Sequence, residues 1–283
     1  MKTPLCLLAL ALACPACHPQ STAQNASAKV DKGAAAAASP AAEVASPQAV
    51  AANALPGQLA LLRQVDLSAA WSNAPEPGEN PAAMEGFYGP DHYRISFVFT
   101  KVRRDALQPE VYHIEGLNRY KKIITPFAGT CTIKRIAALP DTVDMKNSNA
   151  LRGHTAFAEY ELREDPATKG AGVYSGKALL DFGVDAKNRA RLVRFNGMDE
   201  GSGNPTKGSG LIFQGGWRNN KTGQVKAASW SSDFAVIVPE ALEKLGLGSR
   251  GDTIYPELAK FGWNDWYENT EWWAQPTKPA LSL

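Results

Sequence analysis

From Tyr93 onward, apolar and polar side chains alternate with a period of two. Within Tyr93–Val102, the residues Tyr93, Ile95, Phe97 and Phe99 fall on one face, with Arg94, Ser96, Val98 and Thr100 opposite. That alternation is the mark of a half-buried strand. The same pattern predicts strands at Val111–Leu117 and at Phe127–Ile136, where Phe127, Cys131 and Ile133 share a side. Thr155–Arg163 and Val173–Val184 form a long pair across the loop 164–170, whose Asp, Pro and Gly have turn chemistry. In the second strand of that pair Tyr174, Ala178, Leu180, Phe182 and Val184 line one face. Ala190–Phe195, Leu211–Trp217 and Gln224–Val236 complete the series, the last two joined by a hairpin turn at Arg218–Gly223.

About eight closely spaced strands with no β-α-β alternation predict a mainly β fold, an antiparallel meander. Closure into a barrel is favoured over a sandwich because it leaves no exposed edge. Leu59–Leu67 predicts a helix, and 72–90, with four prolines and several glycines, reads as loop. Two short helices are expected near the end, Pro239–Leu245 with proline in the first turn and Thr253–Phe261 with Asp252 as cap.

The pattern before the strands is different. Met1-Lys2-Thr3 precedes an apolar run from Leu5 to Ala13, followed by Cys14-Pro15-Ala16-Cys17. One positive charge, a short apolar core and small residues are the layout of a secretory signal. The run is too short to span a bilayer, which takes about 20 residues. Leu10-Ala11-Leu12-Ala13 before Cys14 resembles the lipobox of bacterial lipoproteins. That resemblance implies cleavage before Cys14 and acylation of its thiol and new amine, with Cys17 as the alternative site. No acidic residue follows Cys14, which by resemblance to lipoprotein sorting points to the outer membrane. Residues from 18 to about 56 are dominated by Ala, Ser, Pro and Gln and hold no aromatics. Such a stretch buries too little apolar surface to offset the entropy of ordering. The expected organisation is therefore a signal peptide at 1–13, a lipid-anchor cysteine and tether at 14–56, and a β-domain with an aromatic-rich extension at 57–283.

Charge and cysteine content narrow the function. The chain has 30 basic and 28 acidic residues. Removing Lys2 with the signal leaves a net charge near +1, with no clustered basic footprint for nucleic acid. Three of four cysteines lie in the first seventeen residues, so the domain keeps only Cys131. A disulfide scaffold and a four-cysteine zinc site are thereby excluded from it. Cys131 lies in an alternating stretch and reads as a small buried hydrophobe.

The search for chemistry finds no nucleophile elbow and no Ser-x-x-Lys pair in the domain. His92, His113 and His154 lack the spacing of a helical zinc motif and read as isolated strand positions. The loop 201–210 fails as a phosphate loop because its lysine precedes the second glycine. Asp199 and Glu200 lack the alternating oxygen ligands of a calcium loop. Glu159, Glu161 and Asp181 are candidates for an acid/base pair only if the fold brings two of them together. No motif implies a cofactor. Aromatic residues are the best candidates for binding: Trp217 and Trp230 flank one hairpin. Trp263 and Trp266 belong to a stretch, Phe261–Trp273, with six aromatics in thirteen residues. Exposed, such rings stack on sugars or dock a protein; buried, they plug or clad the barrel.

Three short stretches carry a family likeness: Gly172–Ala178, Phe213-Gln214-Gly215-Gly216-Trp217 and Ala228-Ser229-Trp230. Together they resemble bacterial lipoproteins with a lipocalin- or avidin-like (calycin-like) β-barrel, across roughly residues 91–236. The resemblance implies small-ligand binding in the barrel mouth or protein inhibition through loops. It implies no activity, so no catalytic residue is carried over. The expected function is a membrane-anchored envelope lipoprotein facing the periplasm or cell surface. Its β-domain is expected to bind a small ligand, a glycan or an envelope protein without catalysis, one version being a protective inhibitor of a cell-wall enzyme. The alternatives are a periplasmic hydrolase acting on glycan or peptidoglycan and a structural envelope component.

Overall fold

The computed structural model describes residues 55–74, 78–139, 152–194, 205–237, 259–263 and 271–274. All lie in one compact unit, Ala51–Leu283. Cys14, Cys17, the signal and nearly all of the tether fall outside these residues, as do Pro239–Leu245 and all but 259–261 of the last expected helix. No helix among the described residues is long and apolar enough to cross a membrane.

The fold is mainly β. Two helices, α1 (Leu55–Gln64) and α2 (Ser68–Trp71), precede nine strands. These are β1 (Met84–Tyr88), β2 (Tyr93–Arg104), β3 (Val111–Tyr120), β4 (Ile123–Ala138), β5 (Arg152–Glu164), β6 (Gly172–Val184), β7 (Ala190–Leu192), β8 (Leu211–Asn219) and β9 (Val225–Ser231). Every pairing is antiparallel. The strands run β1 to β6 in sequence, then β8 and β9, and β9 pairs back onto β1, so eight strands form a closed ring. β7 is not one of the eight. It pairs only with the last residues of β6, on the edge that β8 occupies further along.

Two expectations are corrected here. The prolines of 72–90 made that stretch look like loop, yet Met84–Tyr88, between Pro81 and Pro90, forms β1 and closes the ring. Five residues are too short for alternation to stand out against their surroundings. The final strand also stops at Ser231 rather than running to Val236. Asp233 accepts a hydrogen bond from the Ala235 N–H at 3.1 Å and starts a single 3-10 turn, Phe234–Val236. A short acidic side chain that bonds its own backbone competes with the strand ladder.

The predicted inward faces hold, but Arg94, Ser96 and Val98 on the opposite face of β2 are buried as well. Ile95, Phe97 and Phe99 of β2, Phe127, Cys131 and Ile133 of β4, and Tyr174, Ala178, Leu180, Phe182 and Val184 of β6 all enter one core. Trp230 lies at its centre, fully buried. Its ring stacks on Phe97 (centroids 3.9 Å, 17°) and Phe213 (5.1 Å, 8°) and meets the edges of Tyr160 and Tyr174. Cys131 is buried, and desolvation pushes its thiol far above the ordinary range. Close approach of β6 to β8 requires glycine at Gly176 and Gly215, which face each other. A Cβ on either would lie 2.1 Å from a carbonyl oxygen of the other strand.

The ring has two different ends. At one, four hairpin turns cluster and the interior opens. At the other, the helices form a plug. Trp71 of α2, fully buried, packs against Tyr112 and Phe213, with centroids 6.3 and 6.0 Å away. Arg104 donates to the carbonyls of Leu62 and Val65, satisfying orphan acceptors at the end of α1. The Gln58 amide bridges to the backbone of Ile136, accepting at 2.6 Å and donating at 2.9 Å, next to the bulge in β4. Trp71→Ala should cost about 3–5 kcal/mol, the usual range for removing a buried tryptophan. Urea unfolding checks this; a loss below about 1 kcal/mol would mean that the plug does not hold that end.

Candidate functional site

At the open end the inward side chains form a cup of about 350 Å³. Every ring strand except β2 contributes: Tyr88 from β1, Asn118 and Tyr120 from β3, Ile123 and Thr125 from β4, Glu164 from β5, Tyr174 from β6, Trp217 and Asn219 from β8, and Lys226 from β9. The cup is shallow because Phe97, Trp230 and Tyr174 fill the ring beneath it.

Glu164 is the polar centre of the floor and is 8 % exposed. Four donors converge on its carboxylate. Oε1 accepts from Asn118 Nδ2 at 2.8 Å and from the Tyr174 hydroxyl at 3.3 Å. Oε2 accepts from the Gly172 N–H at 2.8 Å and from Trp217 Nε1 at 2.9 Å. A buried carboxylate is tolerable when its lone pairs are occupied in this way. The bonds join β3, β5, β6 and β8 across the mouth. Gly172 has to be glycine here, since a Cβ would sit 2.3 Å from the Trp217 indole nitrogen. Burial, and next the Glu164 charge, hold the Tyr174 phenol well above its ordinary range. Burial raises Tyr88 as well, so both remain neutral phenols.

Around the carboxylate the lining is aromatic and basic, with Tyr88 and Trp217 buried and Tyr120 half-buried. Tyr120, Tyr88 and Trp217 follow one another across the mouth, with centroids 4.6 and 5.7 Å apart. The Lys226 ammonium lies 5.1 Å over the Tyr88 ring. Lys169 lines the same cup, and Ile123, 62 % exposed, makes its apolar rim.

The sequence candidates are dispersed. Trp217 belongs to the cup. Trp230 is sealed in the core and touches no solvent. Trp263 clads the outer wall, packing on Phe87 and Phe234 and donating to the His92 carbonyl at 3.1 Å. Trp266 lies outside the described residues. Of the carboxylates, Glu159 pairs with Lys134 and Glu161 with Arg163 on the exposed surface. Asp181 is fully buried, accepting from Thr155 at 2.6 Å and from Thr206. The fold therefore does not assemble an acid/base pair from these three.

The histidines are separate as well. His92 sits in the β1–β2 turn against Phe87. His113 bonds Asp105 at 2.8 Å and, with two backbone N–H groups, holds that carboxyl down at about 2. His154 stacks on Phe182, where burial lowers its basicity. Among the described residues no three metal-ligating side chains gather. Asp199 and Glu200 lie outside them.

Sequence reasoning missed Glu164, Tyr88, Tyr120 and Lys226. A signal for the first was present: Ala156, Ala158, Tyr160 and Leu162 make an apolar face, and Glu164 continues it. An acid at the end of a core stripe is a buried polar group whose partners must come from elsewhere. No protein-family model matches the chain, and no curated protein or solved structure does either.

Glu164→Gln keeps the size but turns an N–H₂ toward two of the donors. It should destabilise the domain by about 2–4 kcal/mol, the sum of two unsatisfied buried groups. Thermal unfolding with near-ultraviolet dichroism of Trp217 reads this; an unchanged midpoint would mean that the carboxylate is not the tie described.

Proposed function

We propose that the ring is a small calycin-like barrel on an envelope lipoprotein, which binds, without catalysis, a small ligand with a planar apolar body and a negative charge. The observation that carries this is the composition of the cup: a lining of Tyr88, Tyr120 and Trp217, of which Tyr120 is the half-buried ring and the other two are buried, beside the Lys226 ammonium, over a carboxylate whose bonding capacity is spent. Rings and a cation favour stacking with an anion nearby. A general acid or base needs a carboxyl free to exchange a proton with substrate, and Glu164 is held by four donors. The volume stands near the lower end of small-molecule sites, about 300–1,000 Å³. The binding reading is therefore preferred to the hydrolase.

The anionic dye anilinonaphthalene sulfonate serves as the probe. Saturable, one-to-one binding with a blue-shifted emission is expected. The double variant Tyr120→Ala/Lys226→Met should weaken it by about tenfold or more, the loss of one stacking face and one cation contact. Equal affinity for variant and parent would remove the mouth as the site.

The anchor belongs to the same proposal. Two signals, an acylated amine and a diacylglycerol thioether on Cys14, would hold the domain at the outer membrane by a tether. Intact mass of the membrane fraction should show the chain beginning at Cys14 with acyl additions, and Cys14→Ser should leave an unprocessed, unacylated chain. An acyl-free parent, or acylation persisting on Cys17 in the variant, would overturn the Cys14 assignment.

A further inference from the structure

Among the described residues the large apolar side chains that reach solvent are Leu107, Ile123, Ile124 and Val225. Leu107 belongs to the β2–β3 turn at the plugged end. The others are all at the open end, where Ile123 and Ile124 begin β4 and Val225 begins β9. Ile123 and Val225 are 62 and 65 % exposed. The β3–β4 and β8–β9 hairpins stand on opposite sides of the ring. In strand order, β2 and β1 separate them one way round, and β6 and β5 the other. A plane resting on both tips therefore lies across the mouth.

The same end is basic. Its turns carry Lys121, Lys122, Lys169 and Lys221, all exposed, and the strands flanking the β8–β9 turn add Arg218 and Lys226. The carboxylates of these turns are Asp91 and Asp165, and Asp165 already accepts the Ala167 N–H at 2.9 Å. None of the six cations forms an ion pair among the described residues. Lys121 and Lys226 each lie 5.1 Å over a ring, that of Tyr93 and that of Tyr88. Such contacts orient an ammonium group without neutralising it.

We infer that the open end docks on an anionic lipid surface, with Ile123, Ile124 and Val225 entering the headgroup layer and the lysines facing the lipid phosphates. Aliphatic side chains flanked by ammonium groups suit an interface that is apolar within and negative at its surface. A protein partner fits less well. Protein interfaces favour aromatic residues and Arg and are depleted in Lys, whereas the exposed side chains here are aliphatic or, for the most part, Lys. A second copy of the chain would set the same positive charge against itself. A bilayer is flat and meets both tips at once. The inference needs neither an acyl anchor nor a ligand in the cup.

The test uses the full chain with Cys6→Ser, Cys14→Ser and Cys17→Ser, which carries no acyl group. Cys131 is buried with its thiol pushed far up, so it takes no label. Val225→Cys or, at the opposite end, Leu107→Cys is then labelled with the polarity-sensitive dye nitrobenzoxadiazole. Vesicles of phosphatidylcholine, alone or equimolar with phosphatidylglycerol, are added. The label at 225 should brighten and shift to the blue with the anionic vesicles, the label at 107 should not, and added salt should weaken the effect. Lys121→Gln/Lys122→Gln, read from the label on the opposite hairpin, should lower vesicle affinity by at least about tenfold, each basic side chain contributing about fivefold. No brightening at 225, equal brightening at 107, binding indifferent to phosphatidylglycerol, or a variant that binds as the parent does overturns the proposal. Brightening that follows protein concentration without lipid assigns the tips to a second copy and overturns it too.

Discussion

A sheet of eight strands that pairs with its own first edge leaves room inside for side chains and little more. That constraint organises the rest of the molecule. Met84–Tyr88, the shortest strand of the ring, supplies the closing edge by pairing with β2 on one side and β9 on the other. With the ring closed through β1, the enclosed volume is taken up by rings centred on Trp230. In that interior the Tyr160 hydroxyl and the Trp230 indole N–H find no hydrogen-bond partner among the described residues.

Because the interior is full, chemistry is left to the ends, and the two ends answer differently. At one, α1 and α2 bring Trp71 under the ring and tie it down through Gln58 and Arg104. At the other, no helix among the described residues covers the opening, and the strands end in turns. The top layer of inward residues then becomes a cup instead of a core. Glu164 holds four strands there without any cationic partner at its oxygens among the bonds described, so the mouth keeps its shape with no ligand present. The proposed binding function rests on this commitment of the carboxyl to four donors.

The strand faces were legible along the chain because alternation records burial directly. Tyr174 through Val184 and Ile95 through Phe99 enter the core as their spacing predicts. The fully apolar role of Cys131 was legible for the same reason. β1 was hidden, being short and following three prolines. The placement of β7 was hidden too, because a three-residue strand looks the same in sequence whether it completes a ring or lies beyond β8. The outer face of β2 also departs from its pattern: Arg94, Ser96 and Val98 are buried although they alternate as exposed positions. The C-terminal segment lies over the start of that face, with the Arg94 N–H donating to the Phe261 carbonyl at 2.9 Å.

Residue order by itself determined the class of the fold and the inward positions of most strands. These are local properties, set by neighbours two residues apart. Only the tertiary structure decided which aromatic rings are available, placing Trp217 in the cup, Trp230 in the core and Trp263 on the outer wall. It alone brought Glu164 of β5 to Asn118, Gly172, Tyr174 and Trp217, residues that come from three other strands. Such meetings depend on how the sheet curls and where it closes, and those are properties of long-range pairing that no window of sequence contains.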